Sequence, residues 1–171
     1  NIGTEAAAHS PNDGYTLLMG TVATQTMNEF LYPSTGYDSA KDFEPIVHFG
    51  YLASSLSVHP GLPVKTFAEL LDYAKARPNQ VAWGSFGASS TPHFYIEWLK
   101  NTRNTEFLNV PYKGASFAWQ GLLAGDVQVA FFAVGPSAAV RKAGKVKTLA
   151  VMLGKRVAQM PDVPSYLESP G

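Results

Sequence analysis

The 171-residue sequence contains no cysteine. That excludes disulfides, thiolate nucleophiles and cysteine-ligated metals, and it suits either the cytoplasm or the bacterial periplasm. Net charge is also lacking, because thirteen basic residues balance thirteen acidic ones. Total charge therefore favours neither nucleic acid nor an anionic membrane as a partner. No apolar run approaches the ~18 residues that cross a bilayer, and no charged stretch followed by an apolar one opens the chain as a secretory leader would. The four histidines, His9, His48, His59 and His93, lack metal-ligand spacing. No dinucleotide fingerprint and no phosphate loop with its lysine is present, so no cofactor is expected. The first residue is Asn1 rather than Met, which reads as a processed or truncated product.

What remains is an ordinary globular composition, 46% hydrophobic and 15% charged, long enough for one sizeable core or two small lobes. Ile2 to His9 reads as a short helix stopped by the turn cluster Pro11-Asn12-Asp13-Gly14. Tyr15 to Met19 follows as an apolar run of strand length, expected to be buried. Thr21 and Thr24 lie at the expected carboxyl end of that strand, where ligands of open α/β sheets sit, and equally suit capping or turn roles. Asn28 to Pro45 is irregular. Ile46 to His59 reads as extended but too long for one strand, so it is read as a crossing between lobes, broken near Gly50 to Ser55.

Thr66-Phe67-Ala68-Glu69 is a capping box that opens a helix, with Phe67, Leu70, Leu71 and Ala74 on one face and Pro78 as its stop. The chain then reaches Val81 to His93, VAWGSFGASSTPH. This is a short strand, a loop of small residues, and a helix expected to start with Thr91 as N-cap and Pro92 at its first position. Gly84, Ser85, Gly87, Ala88, Ser89, Ser90 and Thr91 leave backbone N–H groups and hydroxyls open to an anion. Water alone would also fill such a turn. The following helix is expected to bury Phe94, Tyr95, Trp98 and Leu99.

Further on, Glu106 to Val110 reads as a strand, Ser116 to Leu123 as a helix ended by Gly125, Gln128 to Val134 as a strand buried on both faces, Ser137 to Ala143 as a helix, and Val146 to Leu153 as a last strand. Strands alternating with helices predict an α/β fold, with a parallel or mixed sheet covered by helices on both faces. Two more strand-to-helix junctions, at Val110 to Ser116 and Val134 to Ser137, would then share one sheet edge with the Ser85 loop.

Enzyme chemistry finds little support. A nucleophile elbow needs glycine two residues before the serine, and Trp83 stands there ahead of Ser85. His93 is near Ser85 in sequence, but no carboxylate is placed to orient it. Tyr112 and Lys113 are adjacent and would face opposite sides of an extended segment. The alternative to a binding protein is a small α/β hydrolase using Ser85 with His93.

Several segments together resemble a known family. They include Asn1-Ile-Gly-Thr-Glu5, Pro11-Asn-Asp-Gly-Tyr-Thr-Leu-Leu-Met-Gly20, Leu62-Pro-Val-Lys-Thr-Phe-Ala-Glu-Leu70, Trp83 to His93, Val110-Pro-Tyr-Lys-Gly114 and Met160-Pro-Asp-Val-Pro164. The chain resembles, over essentially its whole length, the Bug or TctC-like periplasmic solute-binding proteins of tripartite tricarboxylate transporters.

That resemblance implies a type II periplasmic-binding-protein-like fold. Its two lobes would close on a small carboxylate, without enzymatic activity, and deliver it to the membrane permease subunits of the transporter. The protein itself would be periplasmic and not membrane-inserted. The resemblance also implies that parts of the family fold lie outside this chain. On that basis 1–45 and 154–171 form a partial first lobe, 46–59 and 146–153 the hinge, and 60–145 an inserted second lobe. Ligand contacts carried over by position fall on Ser85, Gly87, Ser90 and Thr91, on Gly114, Ala115 and Ser116, and around Thr21 and Thr24. Many family members have an aspartate where this chain has Phe132. The change disfavours an amino-acid ligand and favours a carboxylate with an apolar or aromatic part; Phe132 reads equally as core.

Overall fold

In the computed structural model, residues 1–51, 53–87 and 90–169 are described; Ala88 and Ser89 of the small-residue loop, and Leu52 of the expected crossing, lie outside them. The chain divides into two compact units, Asn1–Gly50 and Tyr51–Gly171.

The Tyr51–Gly171 unit is built on a five-stranded sheet, with β1 at Ser54–Val58, β2 at Ala82–Ser85, β3 at Leu108–Pro111, β4 at Val129–Ala133 and β5 at Lys147–Val151. Their order across the sheet is β3-β2-β4-β1-β5. β2 is parallel to both β3 and β4, whereas β1 is antiparallel to β4 and β5. The expected mixed sheet is therefore present, with β1 as its one reversed strand.

Alternation along each strand sends side chains to two opposite cores. On one face Trp83 packs edge-on to Phe107 (centroids 4.8 Å apart) and Phe131 (5.3 Å). Leu56 and Val58 of β1 join them, together with α3 (Phe67–Lys75) and α4 (Thr91–Arg103). On the other face Ala82 and Ala130 meet Trp119 and Leu122 of α5 (Ala115–Ala124). α6 (Val134–Lys142) caps a third cluster, in which Val134 and Val151 contact Met160 and Val163. The 154–169 segment thus makes its described contacts with the sheet unit, although the resemblance grouped 154–171 with a first lobe.

Local chemistry explains where the helices begin and end. Thr66 Oγ1 accepts the Glu69 N–H at 3.2 Å, and the Glu69 carboxylate accepts the Lys65 N–H at 2.7 Å, one residue earlier than a standard capping box. α4 ends on Asn104 at φ 50° and α5 on Gly125 at φ 88°, both left-handed. In α4 the buried face is set by Pro92, Ile96 and Leu99. Trp98, expected inside, is 46% exposed, because four large residues cannot all share a face centred on Ile96 and Leu99.

The Asn1–Gly50 unit is of another kind. It contains α1 (Ile2–Ala8), one π-helical turn (Ala23–Met27) and α2 (Asn28–Leu31), and no strand among the described residues. The expected strand Tyr15 to Met19 does not form, and Tyr15, Leu17 and Met19 are all exposed. No strand among the described residues pairs with them, and a lone strand does not hold itself. Ile46, Val47 and Phe49 are likewise exposed, so the expected extended crossing becomes a strand only from Ser54. Tyr37 is the unit's one buried apolar residue among those described. Its hydroxyl donates to the Thr24 carbonyl at 2.6 Å, and its ring meets Phe43 edge-on.

Candidate functional site

β3, β2 and β4 are parallel neighbours, so Pro111, Ser85 and Ala133 bring their carboxyl ends to one sheet edge. Each strand runs on into a helix starting at that edge: Ser90 is the N-cap of α4, Gly114 of α5 and Ala133 of α6. No N-cap side chain closes any of these three helices, in contrast to Thr66 on α3. Each helix therefore presents its positive end at the edge, although the Val134 N–H of α6 already donates to the Ala53 carbonyl at 3.0 Å and Pro92 and Pro136 carry no N–H.

The helix starts differ from the expected ones for physical reasons. Thr91 was expected to cap α4, but it is the first helical residue and Pro92 the second. Ser90 Oγ does not cap either, because it is spent inside the loop. It accepts the Phe86 N–H at 3.3 Å and donates to the Gly87 carbonyl at 2.7 Å. Gly87 sits at φ 114°, where a side chain would be strained, and this lets the loop fold back onto Ser90. Ser116, expected to open α5, is its second residue, while Gly114 precedes the helix in an extended conformation. α6 begins three residues before Ser137, immediately after β4.

Ser85 ends β2 with no exposed surface, and its Oγ has no hydrogen-bond partner among the described residues. A buried hydroxyl left unpaired costs about 1–3 kcal/mol, so each instance calls for an explanation. The absence of a partner also means that Ser85 and His93 are not hydrogen-bonded. The described ionic neighbour of His93 is Glu97, one helical turn on at 4.0 Å. The dyad of the hydrolase alternative is not assembled. Tyr112 lies over α5, where a Cβ at Gly121 would come within 2.3 Å of its hydroxyl. Burial, followed by the charge of Asp126, raises its pKa, so the phenol stays protonated near neutrality.

The structure gathers Ser85, Gly87, Ser90, Thr91, Gly114, Ala115 and Ser116 along the one edge described above. Thr91 and Ser116 are exposed there, while Ser90 is buried. Phe132 reaches the same end of β4, but its ring is stacked on Trp119 at 4.4 Å and 6°, as part of the second core. Thr21 and Thr24 belong to the other unit. Each threonine accepts the other's backbone N–H, at 3.1 Å and 3.3 Å, so both hydroxyls cap the turn that begins there.

Two residues that sequence reasoning missed shape the edge. Ser55 Oγ donates to Ser137 Oγ at 2.8 Å, and Ser137 Oγ donates to the Val134 carbonyl at 3.0 Å; both serines are fully buried. They tie β1 to the first turn of α6. The available signal was Ser-Ser-Leu-Ser-Val in a buried strand, where each hydroxyl needs a partner.

Among the described residues, no three or more metal-binding side chains cluster, and no helix is long and apolar enough to cross a membrane.

Comparison with known proteins gives a consistent outcome. The profile of the tripartite tricarboxylate transporter family receptors, TctC, matches residues 1–171. A UPF0065 protein from the tcbD-tcbE intergenic region of Pseudomonas sp. strain P51 is 32% identical, over 99% of this chain and 50% of its own length. Protein BugT of Bordetella pertussis is 30% identical over 98% of this chain and 52% of its own. Among solved structures, R. palustris Rpa4515 with adipate superposes with a TM-score of 0.84 at 33% identity, over 98% of this chain and 56% of that one. The chain thus spans about half the length of the curated relatives it matches.

Proposed function

Because the chain belongs to the tripartite tricarboxylate transporter receptor family, we propose that the shared edge of β2, β3 and β4 is the part of a periplasmic receptor that grips a small carboxylate. The observation that carries this reading is that the starts of α4, α5 and α6, none with a side-chain cap, share one edge with the Ser85 hydroxyl, which has no partner among the described residues. Backbone N–H groups and a hydroxyl can satisfy a carboxylate through charge-assisted bonds without a lysine or arginine. Rpa4515, with its adipate, supports a carboxylate as the ligand class.

Thr91, Ser116 and the N–H groups after Ser90 and Gly114 would take the carboxylate oxygens, and Ser85 would gain the partner it lacks. Phe132 would offer its unburied edge to an apolar or aromatic part of the ligand. The threonines Thr21 and Thr24 are left out, since their hydroxyls are already engaged. In the whole receptor the first lobe closes over the loaded edge, hinging at 46–59 and 146–153, and the ligand passes to the permease subunits. That step would move the inserted lobe, 60–145, together with β1 and β5, which share its sheet.

The test is an amide-resolved NMR titration of the chain with adipate, using the neutral diamide adipamide as control. Shifts confined to 90–94, 114–117 and 134–137, seen with adipate alone and weakened in Ser85→Ala, are expected. Equal shifts with adipamide, or shifts elsewhere, would overturn the assignment.

A further inference from the structure

The neutral total charge conceals an uneven distribution. Asn1–Gly50 has one lysine against six acidic residues, and Tyr51–Gly171 has twelve basic residues against seven acidic. With the histidines neutral, the first unit carries five net negative charges and the second five net positive. Within the second unit, residues 127–161 contain six lysines and arginines and no aspartate or glutamate.

Part of this run surrounds a recess of about 480 Å³ lined by Lys65, Arg141, Lys142, Val146, Lys147 and Thr148. The recess lies at the opposite end of the sheet from the carboxylate edge. Lys147 begins β5 and pairs with Val58, whereas Ser54, at the other end of β1, pairs with Ala133. We propose that this basic recess is a docking surface for an acidic segment of a partner protein.

Two of its cations are held in place. Arg141 pairs with Asp162 at the recess margin, and the Lys147 ammonium donates to the Leu62 carbonyl. Lys65 and Lys142 are exposed, so their ammonium groups can meet carboxylates arriving on a flexible chain. The cations border a shallow, open recess, so several acidic side chains on one chain can reach them together. No exposed aromatic lines the recess to anchor a membrane. A single small anion gains little from separate lysine tips open to solvent, whereas several carboxylates on one chain gain from multivalency. The two ends of the sheet can be occupied together, because they share no residue.

The experiment measures fluorescence anisotropy of a labelled oligoglutamate peptide with the intact chain at low and high salt. Lys65→Glu with Lys142→Glu is compared with Lys75→Glu plus Lys100→Glu, an equal change in net charge on exposed positions of α3 and α4. The recess pair is expected to weaken binding about tenfold or more and to flatten the salt dependence, and the control pair to change it less than about twofold. Matching thermal transitions in both variants keep the comparison fair. Equal losses in the two pairs would overturn the proposal. So would phosphatidylglycerol vesicles binding in place of the peptide, or displacement of the peptide by inorganic phosphate at matched charge and ionic strength. This outcome is independent of adipate binding at the opposite edge.

Discussion

The two units of this chain use similar sequence patterns to opposite effect. Beyond Gly50, short apolar runs become strands: Val129 to Phe131 is buried between α-helical layers. Before Gly50, Tyr15 to Met19 is an apolar run of strand length, and Ile46 and Phe49 are as apolar as anything in the sheet, yet Tyr15, Leu17, Met19, Ile46 and Phe49 are all exposed. The difference lies in the neighbours available. β4 has β2 on one side and β1 on the other, whereas the early run has none among the described residues. Patterning specifies which face of a strand would be buried, but pairing and covering layers supply the free energy.

Truncating the aromatic centre of the sheet sharpens this contrast most. Trp83→Ala should cost about 3–5 kcal/mol, because it empties the contact with Phe107 and Phe131, while Phe30→Ala should stay within about 0.5 kcal/mol. Urea unfolding monitored by circular dichroism measures both. Comparable losses would mean that Asn1–Gly50 has a core the structure does not give it.

Glycine substitutions come next in size. Gly121→Ala should destabilise the sheet unit by about 1–3 kcal/mol, since its new Cβ would lie 2.3 Å from the Tyr112 hydroxyl. Gly3→Ala in α1 meets nothing within 4 Å. It should favour that helix by about 0.5–1 kcal/mol without moving the thermal transition of the sheet unit.

Ser85→Ala should raise the stability of the ligand-free chain by up to about 1 kcal/mol, by removing a buried hydroxyl without a partner. The same change should weaken carboxylate binding, so that stability and affinity move in opposite directions. A loss of stability on scanning calorimetry would mean that the hydroxyl is already satisfied.

The smallest effect is on pH dependence. Hydrogen bonding to Arg141 lowers the Asp162 pKa, and hydrogen bonding to Lys41 lowers that of Asp38. A carboxylate with a lowered folded pKa contributes stability above its unfolded value of about 3.9, and that contribution is lost as pH falls through the lower folded value. Both carboxylates are well exposed, so each contribution is small. Asp162→Asn should flatten the fall in stability of the sheet unit below about pH 4, and Asp38→Asn should leave it unchanged. An equal flattening in both would show the two units unfolding as one.

Much of the sheet unit was legible because local signals agreed with tertiary structure. The Thr66 and Glu69 cap, the buried Gln128 to Val134 run and the three strand-to-helix junctions each specify their own element. Their convergence on one edge followed from parallel strands alone. Boundaries moved where a side chain took a second role, as with Ser90, whose hydroxyl bonds the loop. The serine pair Ser55 and Ser137 was illegible, being 82 residues apart in sequence and joined only by the sheet. Tyr15 to Met19 was misread because its pattern is genuine while the partners it needs are not among the described residues.

The pairing of Ser55 with Val151 also has a consequence in polymer terms. All the chain between these residues leaves and returns at adjacent points. Closing a free loop of that length would carry an entropy cost that grows with the logarithm of its size. Folded, the sheet behaves toward the flanking chain as a link only one strand spacing wide, so insertions within it can lengthen the sequence without lengthening that link.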